Sequence, residues 1–284
     1  MKNILHITFL LGLSLIVELC FALDKNNETE FNTALASNTY KISGKNSIGT
    51  CFFLVDFNPD STFKYILVTA THVLDGIKED SATLILRKKN GDIYTKLEHK
   101  IAIRSNNKNL YLSHKDVDVS VMFMNSWPVS AYKGVAIPVY FLADDNEFKR
   151  NDIHPGIAVR SLGYPLNFEA NDAGFPILRS GNIASYPLFP SSIYSTFLVD
   201  IKIFKGNSGG PVYYSVDQRN MLIHGEGGVK RYDNILGLIS QEKIKTENIS
   251  TIYETEKKVT QMDIAVVVNA SYIKELIDTL KLIR

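Results

Sequence analysis

The sequence predicts an all-β chain in two halves, closed by a single C-terminal helix. Three observations lead there. Short apolar runs rich in Phe, Val, Ile and Tyr alternate with turn material. The same rhythm resumes after one polar stretch, and only the last residues carry helical spacing. With 284 residues, 45% of them hydrophobic, the chain can bury a substantial core.

The N-terminus reads Met1-Lys2-Asn3, an apolar run from Ile4 to Val17, then Glu18-Leu19-Cys20-Phe21-Ala22, the three-part layout of a secretory signal peptide. Residues 1–22 are therefore expected to direct export, to the periplasm or the medium, with an uncleaved anchor as the alternative. The run is shorter than a bilayer span, and no later segment is long enough, so no stable membrane insertion is expected. Residues 23–39 form an N-terminal segment.

From 40 to 142 the runs Thr50-Cys51-Phe52-Phe53-Leu54-Val55, Tyr65-Ile66-Leu67-Val68 and Ala82-Thr83-Leu84-Ile85-Leu86 read as strands. Asn58-Pro59-Asp60-Ser61 and Lys89-Asn90-Gly91-Asp92 separate them, as in an antiparallel sandwich or barrel. Residues 143–152 are polar and read as a connector. From 153 to 268 the rhythm returns in Ile157 to Leu162, Phe197 to Ile201, Pro211 to Tyr214, Ile235 to Ile239 and Ile264 to Val268. At 269–284, Ile273, Leu276, Ile277 and Leu280 form one helical face, with Asn269 or Ser271 as N-cap, expected to pack on the second half.

Lys and Arg number 31 against 30 Asp and Glu, a net charge of +1, so no global field points to nucleic acid. Removal of residues 1–22 would leave one cysteine, Cys51, which cannot then form an internal disulfide; it reads as a buried small hydrophobe. His99, His114, His154 and His224 lack metal-ligand spacing, and neither a metal nor a cofactor is expected.

Three motifs carry chemistry. In Lys205-Gly206-Asn207-Ser208-Gly209-Gly210-Pro211, glycines around a serine suit acyl transfer, where backbone N–H groups must converge on a developing oxyanion; Gly206 and Ser208 would donate them. In Thr69-Ala70-Thr71-His72, a strand delivers a histidine able to act as general base. In Asp116-Val117-Asp118-Val119-Ser120-Val121, an acid that could orient this base opens a strand. Asp118 is preferred over Asp116 because small Ser120 then follows two residues later. Met262-Asp263-Ile264 has a similar look, but Asp263 comes after Ser208 and is read as a strand-end residue.

Together these motifs resemble the signatures of the chymotrypsin/trypsin-like serine peptidases, in order and in separations of 46 and 90 residues. Asn207, Ile48-Gly49-Thr50, Leu162-Gly163-Tyr164-Pro165 and Ser180-Gly181-Asn182-Ile183 look more like the HtrA-like and glutamyl-endopeptidase-like bacterial members. The resemblance spans roughly residues 40–282 and implies two six-stranded antiparallel β-barrels plus the terminal helix. It implies a serine endopeptidase acting on protein or peptide substrates through an acyl-enzyme on Ser208, with His72 as base and Asp118 orienting it. It also places Ser240 and Lys202 at the substrate cleft. Asn207 stands where trypsins carry the acid that pairs with a new N-terminus, so activity is expected to be indifferent to start points from Leu23 to Asn38.

Two other readings compete. Gly206-Asn207-Ser208-Gly209-Gly210 also satisfies G-x-S-x-G, the nucleophile elbow of esterases, but an elbow leads into a helix and Pro211-Val212-Tyr213-Tyr214 reads as a strand. A protease-fold binding protein without activity is the non-enzymatic alternative.

Overall fold

The computed structural model describes residues 30–57, 63–124, 137–215, 233–250 and 255–283, with the side chains of 242–261 left aside. The expected signal peptide and His224 lie outside the described residues. In the first half, α1 (Phe31–Ser37) precedes β1 (Thr39–Ser43), β2 (Ile48–Phe57), β3 (Phe63–Thr69), α2 (Thr71–Gly76), β4 (Ser81–Asn90) and β5 (Ile93–Ala102). Short β6 (Arg104–Ser105), β7 (Lys108–Asn109) and β8 (Leu112–Ser113) follow, then β9 (Ser120–Met124). In the second half, α3 (Asp145–Arg150) precedes β10 (Ala158–Gly163), β11 (Ile177–Ile183), β12 (Thr196–Asp200), β13 (Pro211–Tyr214), β14 (Asn234–Ser250), β15 (Thr255–Asn269) and α4 (Ala270–Ile283).

The expectation of two six-stranded barrels is overturned. One barrel closes, in the order β10-β11-β12-β15-β14-β13, while the first half forms an open seven-stranded sheet, β5-β4-β1-β2-β3-β9-β8, beside a two-stranded ribbon, β6-β7. The edges explain the difference. β5 is exposed along nearly its whole length and carries Lys96, Glu98 and Lys100, and β8 has only two residues. A charged edge and a stub cannot supply the ladder that closure requires.

The chain is also not all-β with one helix, because four α-helices are described. In α3, read as a connector, Asp144 caps the helix and Glu147 bonds back to the Asp144 N–H, with Lys149 and Arg150 in the last turn. That is a capping box with charges matched to the helix dipole. In α1, Glu30 caps the N–H groups of Asn32 and Thr33, and Phe31, Ala34 and Leu35 are buried. Start points beyond Phe31 would remove part of this buried face, a contact that the expectation of indifference up to Asn38 did not include. Seven residues give too few turns for periodicity to reveal such a helix.

Two cores result. Val159, Ile183, Phe197, Val199, Val212 and Ile239 fill the barrel. The larger core joins Leu35, Phe52, Leu67, Leu84 and Val121 with Ile273, Leu276, Ile277 and Leu280 of α4. The apolar face of α4 is the one expected and Asn269 Oδ1 accepts from the Ser271 N–H at 3.0 Å; the helix packs against β14 of the second half, as expected, and also against β9 of the first, in a core that includes Ile235, Leu238 and Val268. Lys281 accordingly pairs with Asp56 of β2 at 2.9 Å. Cys51 lies wholly inside the same core, and burial pushes its thiol up, which makes it unreactive.

Candidate active site

β3 ends at Thr69, Ala70 stays extended, and α2 starts at Thr71, which places His72 in its first turn. Val73 and Leu74 are buried and hold this turn against the sheet, leaving the imidazole exposed. Asp118 lies two residues ahead of β9, whose first residue, Ser120, pairs with Thr69. That register sets residue 118 beside residue 72. Ser120 fills a hydroxyl chain behind the pair, with Thr71 Oγ1 at 2.8 Å and Ser113 Oγ at 2.7 Å.

Asp118 receives three hydrogen bonds. The His72 backbone N–H donates to Oδ1 at 3.0 Å, His72 Nδ1 lies 2.7 Å from Oδ2, and Ser240 Oγ donates to Oδ2 at 2.6 Å. Burial alone would raise the Asp118 carboxyl, but the bonds from the His72 ring, Ser240 and the His72 N–H outweigh it and hold the group below its ordinary value. The carboxylate is therefore charged near neutrality, and an imidazole with its Nδ1–H on Asp118 presents Nε2 as a free base. Asp116 is exposed, its N–H given to His114 Nδ1 at 3.1 Å, and takes no part.

The serine arrives from the other half, on the loop ahead of β13. Gly206 and Gly209 adopt left-handed φ of 102° and 85°; a Cβ on Gly206 would meet the Tyr164 carbonyl at 2.2 Å, and one on Gly209 the Thr50 carbonyl at 2.1 Å. The glycines are thus required by conformation and by space. β2 ties the loop down: the Thr50 N–H donates to the Ser208 carbonyl at 2.8 Å, and Thr50 Oγ1 to the Gly206 carbonyl at 2.7 Å. Asn207 is buried, and its Oδ1 accepts from the Phe204 N–H at 3.0 Å. Its side chain thus closes the loop on itself. Among the described residues neither the Gly206 nor the Ser208 N–H has a protein acceptor.

His72, Asp118, Ser208 and Ser240 line one cleft of about 520 Å³. Ile203, Phe204, Lys205 and Gln241 line it too, and the sequence reading missed them although Lys205 and Gln241 directly adjoin residues it had chosen. Lys202 is placed differently. It is exposed, pairs with Asp263 at 3.2 Å and lies over the ring of Phe204, outside the side chains that line this cleft, whereas Lys205 lines it. Asp263, in turn, sits at φ 55° within β15 and is remote from His72 in its bonding. Ser208 leads into β13 and not into a helix, which removes the basis for an esterase elbow.

Among the described residues no cluster of three or more His, Cys, Asp or Glu side chains could hold a metal, and no helix is long and apolar enough to cross a membrane. No family model matches the chain, and no curated protein matches it. Among solved structures the chain is similar to Rv3671c of M. tuberculosis H37Rv, in a crystal structure of the inactive form of a serine-to-alanine mutant. Identity is 17%, coverage 88% of this chain and 89% of that one, and the TM-score 0.43. At that score the likeness supports no statement about this chain's fold or chemistry.

Proposed function

We propose that the chain is a serine endopeptidase of the chymotrypsin/trypsin-like kind, exported by its N-terminal segment and nearer in motif to the HtrA-like and glutamyl-endopeptidase-like members. The observation that carries this reading is the Asp118 carboxylate, bonded twice by His72 and once by Ser240, in a cleft that Ser208 also lines. Cleavage would proceed as that geometry suggests. His72 Nε2 takes the Ser208 Oγ proton as Oγ attacks the substrate carbonyl carbon, and the Gly206 and Ser208 N–H groups receive the oxyanion. Collapse breaks the C–N bond, and His72 returns the proton to the leaving amine. Water repeats the sequence on the acyl-enzyme and regenerates Ser208.

A fluorophosphonate should label Ser208 in the wild type, not in Ser208→Ala, and slowly in His72→Ala. Ser208→Ala should cut peptide turnover at least about a thousandfold while leaving the melting temperature in place. A folded wild type that is never labelled would transfer the chain to the binding-protein reading.

A further inference from the structure

The Arg87 guanidinium, on β4, is 1% exposed and has no carboxylate partner among the described residues. It donates instead to carbonyls from two distant segments: Ala36, Ser37 and Thr39 at 3.3, 2.9 and 2.8 Å, and Gly174 at 2.8 Å. It also donates to Tyr164 Oη at 3.2 Å and lies over the rings of Tyr40 and Phe175. Tyr164 is fully buried and its hydroxyl reaches the same two segments, with the Thr39 carbonyl at 3.2 Å and the Gly174 carbonyl at 3.0 Å. A buried cation satisfied only by carbonyls, a phenol and two rings is an expensive arrangement for a fold to keep. Its effect is to clamp the end of α1 to the loop 164–174.

That loop touches the serine's own loop, through Leu166 and Lys205. After Tyr164, Pro165 starts a single turn in which Leu166 sits at φ 50°, ψ 33°, a left-handed conformation unusual for leucine. No packing of Leu166 accounts for it, since the residue is 57% exposed. The backbone does: the Leu166 N–H donates to the Lys205 carbonyl at 2.7 Å. Across a trans peptide, C=O and the following N–H point in opposite directions, so a Lys205 carbonyl held toward Leu166 turns the Gly206 N–H the other way. If this peptide rotated, the carbonyl would occupy the space that the oxyanion needs.

We infer that Arg87 and Tyr164 are positioning residues for the oxyanion hole, clamping the loop so that the Leu166 N–H holds the Lys205–Gly206 peptide in its productive orientation. The N-terminal helix thereby bears on catalysis through neutral carbonyl contacts and without a free terminal amine. This inference rests on the serine-peptidase reading.

The test uses the full chain and reads the fluorophosphonate reaction of Ser208, split into probe affinity and the rate of the chemical step, beside melting temperature and amide exchange at Leu166. Tyr164→Phe should slow the chemical step by at least about tenfold with probe affinity held. Leu166→Ile, whose β-branch opposes positive φ, should react at least about tenfold more slowly than Leu166→Gly, which keeps both the N–H and the turn. The exposed side chain makes a folding explanation of that difference checkable by the melting temperatures. Equal rates for the two Leu166 variants, or rate losses that only follow melting temperature, would overturn the inference while leaving the peptidase reading intact. If the wild type is not labelled, the peptidase reading fails instead. The clamp is then judged by exchange alone: faster Leu166 exchange in Tyr164→Phe upholds it, and unchanged exchange removes it.

Discussion

The open sheet and the closed barrel contribute to the cleft in different ways. The sheet supplies His72 and Asp118 through one register, Thr69 opposite Ser120, so the pair sits just after one strand and just before its neighbour. The barrel supplies Ser208 on a loop tied to the barrel itself, where the Gly209 N–H donates to the Ile239 carbonyl at 2.7 Å, and also to Thr50 of β2 and to Leu166 from the loop after β10. Base and acid are thus brought together mainly by local pairing, with Ser240 of the other half as a third bond, whereas the serine loop combines contacts within its own half with the Thr50 contacts across the halves. Perturbations should separate along that line.

The largest expected effect tests the sheet side. Asp118→Asn should lower turnover by about 10³- to 10⁴-fold, because the amide favours the wrong imidazole tautomer, with His72 still in place. The same variant bears on acid stability. Because the folded state holds the Asp118 carboxyl below its ordinary value, the charge contributes stability above the unfolded pKa of about 3.9, and that contribution is lost as pH falls through the folded value. Denaturant midpoints should therefore drop less between pH 6 and pH 3 in Asp118→Asn than in the wild type.

Next comes the contact between the halves. Gly209→Ala places a Cβ against the Thr50 carbonyl at a φ of 85°, and should destabilise by more than about 2 kcal/mol in chemical denaturation, with activity falling alongside. A variant that kept stability and lost only activity would show that the loop is less dependent on β2 than its contacts indicate. Ser240→Ala, which removes one of three bonds to Asp118, should reduce turnover by about tenfold, the worth of one hydrogen bond to a charged group. Asp116→Asn should be smallest, within about 0.5 kcal/mol in stability and little changed in rate. A large loss there would undo the choice between the neighbouring acids.

Much of the site was legible in short motifs, because each residue type sits within a few positions of a strand end: His72 after β3, Asp118 before β9, Ser208 before β13. The α4 face was legible for the same reason, an apolar repeat over fourteen residues. α3 carried a readable signal, Asp144 with Glu147, that composition obscured.

The sequence by itself thus determined many of the strands, such as β2, β3, β12 and β13, where the terminal helix lies and which side chains are candidates for acyl-transfer chemistry, since those follow from periodicity and residue type. Only the tertiary structure decided that one half closes while the other stays open, that α4 bridges the two halves, and that Lys205 lines the cleft while Lys202 pairs with Asp263. Only it disclosed the Arg87 clamp. Closure depends on whether two distant edges can pair, and a buried cation's partners are backbone carbonyls that every residue possesses, so neither leaves a mark on the chain as a string.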